Sequence, residues 1–112
     1  MTTTHKAFLG DREREFRLSP KLVEELQRIT GVGLGALVSR IMNRTFSYAD
    51  VIETIRLGLI GGGTEPQEAA ALIKAYVEGE PLEPAYLLAF DILSALWFGV
   101  STKDQLGGAA NG

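Results

Sequence analysis

Cysteine is absent from the sequence, which removes thiol catalysis, disulfide staples and thiolate zinc sites together. Histidine occurs once, at position 5, beside the N-terminus, where a base held in fixed geometry is not expected. Positive charge is not in surplus. The 11 basic side chains are outnumbered by 14 acidic ones, and a net charge of -3 argues against a general affinity for nucleic acid or anionic membrane. Long apolar runs are missing too: the best, residues 85–100, is broken by Asp91 and Ser94. It also falls short of the roughly 20 apolar residues a spanning helix needs. Residues 1–6 are polar and lack the apolar core of a signal peptide, so the expected location is cytoplasmic. What remains is 112 residues with 46% hydrophobic content, enough to bury a core without metal or cross-link but too little for two domains.

The pattern begins as strand and changes to helix. Gly10-Asp11 reads as a two-residue turn with glycine first. Pairing about it sets Leu9 opposite Arg12, Ala7 opposite Arg14, His5 opposite Phe16 and Thr3 opposite Leu18. Ala7, Leu9, Phe16 and Leu18 then share one face, and Lys6 meets Glu15 on the other. Phe8 is the misfit, since it lands among charges. Ser19-Pro20 starts a first helix, with Leu22, Val23, Leu26 and Ile29 at helical spacing and Gly31 as its stop. A second covers residues 34–43, on the stripe Leu34, Leu37, Val38, Ile41 and Met42. Ser47 caps a third, with Asp50 three positions on; Val51, Ile52, Ile55 and Leu59 are its stripe and Gly61-Gly62-Gly63 ends it. Thr64-Glu65-Pro66-Gln67 opens a fourth, closed by Gly79 and Pro81, and the fifth runs over residues 84–98. The expected architecture is α+β but mostly α: an N-terminal β-hairpin followed by about five short helices in one compact bundle. The domain covers residues 1–100, and a glycine- and alanine-rich tail, 101–112, is expected to be flexible.

No catalytic constellation is visible. The two glycine clusters, 31–35 and 61–63, lack the preceding strand and the lysine of a phosphate-binding loop, and read as a helix joint and a helix stop. Ser19 and Ser47 act as caps. Glu24/Glu25 and Glu78/Glu80 read as solvated helix surface, so no metal or other cofactor is expected. The informative segment is the fifth helix, whose apolar residues surround nearly the whole cylinder and leave Asp91 and Ser94 as a narrow polar strip. Such a helix is either the centre of the core or has one side against another chain. On the second alternative Leu93, Trp97 and Phe98 are candidates for the contact face, with Ile60 as a second edge and Tyr86 and Asp91 as its polar rim. Self-association is an equally direct use of that face.

The order of motifs resembles a known family. It consists of Phe8-Leu9-Gly10-Asp11 and Phe16-Arg17-Leu18; Thr30-Gly31-Val32-Gly33; Ala36-Leu37 and Arg40; and Asp50-Val51-Ile52. Then come Ile55-Arg56-Leu57-Gly58-Leu59-Ile60-Gly61-Gly62-Gly63, Pro66, Glu68-Ala69-Ala70, Pro81-Leu82 and the apolar end at 93–99. Over residues 7–99 this is similar to the small tail protein of gene transfer agents and related tailed-phage clusters, with the stretch 56–63 its most specific part. That family is described both as a tail tube component and as a tail assembly chaperone. A tube wall needs several long strands, whereas this sequence offers one short hairpin and no sustained period-two alternation. The resemblance therefore implies a non-enzymatic assembly chaperone with the tape-measure protein and tail tube subunits as partners. Its alternative is a structural tube component of the particle.

Overall fold

The computed structural model describes residues 1–101, in the order β1 (His5–Leu9), β2 (Arg12–Phe16), α1 (Pro20–Thr30), α2 (Leu34–Met42), α3 (Tyr48–Gly61), α4 (Pro66–Tyr76) and α5 (Leu82–Phe98). One antiparallel hairpin and five helices are the expected α+β, mostly α architecture. Apart from Ser101, the tail lies outside the described residues. Gly10 turns the hairpin at φ +74 while Asp11 keeps a negative φ, which a glycine-first turn requires. The observed register is the expected one from Leu9–Arg12 to His5–Phe16. There the ladder stops, and Thr3 does not pair with Leu18. Arg17 N–H donates instead to the carbonyl of Gly58 in α3, at 2.9 Å. Thr2 exchanges two backbone bonds with Val100, at 2.9 and 2.7 Å, beyond the end of α5. The N-terminus is thus pinned rather than frayed, and His5 is held at its base.

Local chemistry sets the helix limits. Ser19 Oγ accepts from Leu22 N–H at 3.3 Å, Pro20 occupies the first turn of α1, and Gly31 closes that helix at φ +78. Ser47 and Asp50 form a reciprocal capping box at the start of α3. Asp50 is fully buried and also receives Arg40 from α2, at 2.8 Å. Two starts differ from expectation. α4 begins at Pro66 with Glu65, not Thr64, in the cap position, and no side chain caps it. α5 begins at Leu82, one turn's fraction before residue 84, because Pro81 already has the extended backbone of an N-cap.

α3 is the centre of the molecule, packed by α1, α4, α5 and β2. Its glycines allow this. A Cβ added at Gly61 would sit 1.7 Å from the carbonyl oxygen of Arg17, and one at Gly62 would sit 1.9 Å from that of Glu15. The strand backbone lies directly on the end of the helix. Gly62 itself has φ -85, so it is glycine for close approach and not for positive φ; Gly63, at φ +111, supplies the left-handed turn. Around α3 the fully buried Phe16, Leu26, Leu37, Ile41, Ile55 and Ile92 form one continuous core.

Candidate functional site on the outer face of the last helix

α5 rests on α3, with α2 and β1 at its sides. Its inner positions Ala85, Tyr86, Ala89, Ile92, Leu93 and Ala95 are buried. Leu87, Asp91, Ser94 and Phe98 recur at spacings of 4, 3 and 4, which places them in one line on the opposite side. Leu87 is 48% exposed, Phe98 69% and the adjacent Trp97 53%. Each side of this stripe carries a cleft. A groove of about 280 Å³ lies towards the hairpin, between Leu87, Leu88, Phe8 and Tyr76. A smaller one of about 120 Å³ lies towards α2, between Phe90, Trp97, Phe98 and Met42. The exposed Phe8, Met42 and Tyr76 therefore join the stripe instead of being scattered singly. Contiguous apolar surface of this kind makes the outer face of α5 the candidate contact surface.

Electrostatics add one anchor. Asp91 is the carboxylate on the stripe, and it lies 3.8 Å from Nε2 of His5. Burial lowers the His5 pKa below its ordinary 6.5, while Asp91 pulls it the other way. Elsewhere the glycine cluster 31–35 is the joint it was expected to be, since Gln27 reaches across it to accept from Leu34 N–H at 2.8 Å. Among the described residues no group of acidic or histidine side chains converges as a metal site, and no helix is long and apolar enough to cross a membrane.

Three of the six candidate contact residues, Asp91, Trp97 and Phe98, lie together on the outer face. The other three do not. Leu93 is only 2% exposed and belongs to the core, although it also lines the floor of the cleft that Trp97 and Phe98 wall. Tyr86 is a fold anchor and not a rim: its hydroxyl donates to the Ile41 carbonyl at 2.7 Å, its ring stacks on Phe46 at 5.0 Å, and Arg44 lies 4.4 Å from its centre. Arg44 is held there by paired bonds to Glu83 at 3.0 and 3.2 Å. Ile60 packs on the core from α3 and lines neither cleft. Leu87, Met42 and Tyr76 were missed. Leu87 was within reach of the sequence, because extending the Asp91–Ser94 strip by one turn each way meets Leu87 and Phe98.

No curated protein and no solved structure matches the chain. Residues 2–99 match a family described as phage tail tube protein, GTA-gp10. The match takes in the hairpin and every helix, with the outer stripe of α5 included, and the chain belongs to that family of phage tail proteins.

Proposed function

We propose that this protein acts in building a phage-like tail, as an assembly chaperone that covers apolar helical surface of the tape-measure protein before tube subunits enclose it. The observation that carries the reading is the outward stripe of α5 with its flanking grooves. A groove walled by a helix takes the apolar face of a second helix, through anchors three or four residues apart. The role is burial and release rather than catalysis, inside the producing cell during morphogenesis. Affinity per copy is modest so that tube subunits can displace it, and many copies along one long chain compensate by multivalency.

The family's description favours the second reading, a structural tube component of the particle. Against it stands the small strand content: two five-residue strands give little to build a tube wall with. Co-expression with a tape-measure fragment separates the two. Under the chaperone reading the fragment's soluble yield rises, and purified particles lack this chain. An unchanged yield together with many copies per particle overturns it in favour of the tube component.

A further inference from the structure

The spacing of the outer stripe reads the same in both directions. Leu87, Asp91, Ser94 and Phe98 step by 4, 3 and 4 residues, over about 16 Å of helix. This is the seam spacing of paired helices. Two copies laid antiparallel along it would meet as Leu87 with Phe98 and Asp91 with Ser94, apolar on apolar and hydroxyl on carboxylate. We propose that α5 pairs antiparallel with α5 of a second copy, about a two-fold axis between Ile92 and Leu93.

The polar match is what selects a second copy in this orientation. Ser94 can donate to the carboxylate of the partner's Asp91, and the two-fold repeats that bond. Parallel pairing in register would instead set Asp91 against the partner's Asp91, a like-charge contact. Area agrees with the chemistry. Phe8, Met42, Tyr76, Leu87, Trp97 and Phe98 are each roughly half-exposed or more. At on the order of 100 Å² apiece they offer about 600 Å² per copy. Total burial then reaches about 1,200 Å², the lower limit for specific complexes. The dimer is weak and reversible, which leaves the face available to a tail partner. The pairing does not rest on the tail-assembly reading and can fail without it.

The absence of native cysteine makes the test direct. Leu87→Cys protein is mixed with Phe98→Cys protein and oxidised, both changes being at exposed positions. The expected product is the mixed 87–98 disulfide, in excess over either like-with-like dimer. Dominant like-with-like products overturn the antiparallel register, and a chain that sediments as monomer at every concentration overturns the pairing. Ser94→Asp places two carboxylates at each central layer and is expected to weaken self-association about tenfold or more with unchanged melting. Ser94→Lys, opposite the partner's Asp91, is expected to preserve it. Equal dimerisation of both Ser94 variants also overturns the proposal. A monomeric chain that nevertheless solubilises a tape-measure fragment refutes the pairing alone.

Discussion

α3 and α5 are both apolar around most of their circumference, yet the fold uses them in opposite ways. Between residues 50 and 59 of α3 only Glu53 and Arg56 reach partly outward, and they pair with each other at 2.6 Å. Everything else on that stretch is enclosed. α5 is enclosed below and flanked at its sides, and it leaves Leu87, Trp97 and Phe98 in water. Glycine marks the difference on the hairpin side. Gly61 and Gly62 let the backbone of residues 15–17 lie directly on the end of α3. At Gly58, by contrast, the side chains of Phe16 and Ile92 stand at ordinary contact distance, 3.4 Å, from where a Cβ would be. α5 has no glycine between residues 82 and 98; its neighbours meet side chains, and its outer side chains lie where no element of the fold packs. Apolar content alone therefore does not say which helix is central; small residues that admit a neighbouring backbone do.

The strongest break of this contrast is at the glycine seam. Gly61→Ala or Gly62→Ala forces backbone apart from backbone, and unfolding in denaturant is expected to show a loss of about 3 kcal/mol or more. Next comes the inner face of α5, where Leu93→Ala is expected to cost about 2–5 kcal/mol in the same assay. The outer face should respond differently. Phe98→Ala is expected to change stability by less than about 1 kcal/mol while weakening association with a second chain. Equal losses for Leu93→Ala and Phe98→Ala would erase the distinction between the two faces. The smallest effect concerns His5. With its folded pKa below the ordinary 6.5, the unfolded chain binds more protons between the two values. Stability is thus fully present above 6.5 and declines as pH falls towards the folded value; His5→Gln should flatten that slope in a pH series of melting curves.

Much of this was legible because it is local. Alternation and cross-strand charge set the hairpin register, and Ser19-Pro20, Ser47/Asp50 and Gly31 mark helix limits by hydrogen-bond chemistry that needs no tertiary context. The site was legible only in part. A helix apolar on all sides has no preferred azimuth in its sequence, so Leu93 and Trp97 look alike until α3 is in place beneath one of them. Tyr86 went astray for a related reason: its partners Ile41, Phe46 and Arg44 come from the α2–α3 region, distant in sequence. Gly62 stands at a helix end as expected, but its need arises from Glu15 in a strand 47 residues upstream, which no local rule contains.

The chain has a single tryptophan, and it sits on the outer face of α5. Its fluorescence, recorded at a dilution where the chain is monomeric while a helical tape-measure fragment is added, reads the central idea without altering a residue. A blue shift of Trp97 emission that saturates with the fragment is the predicted result. Saturable binding with Trp97 still emitting as a water-exposed indole would contradict it.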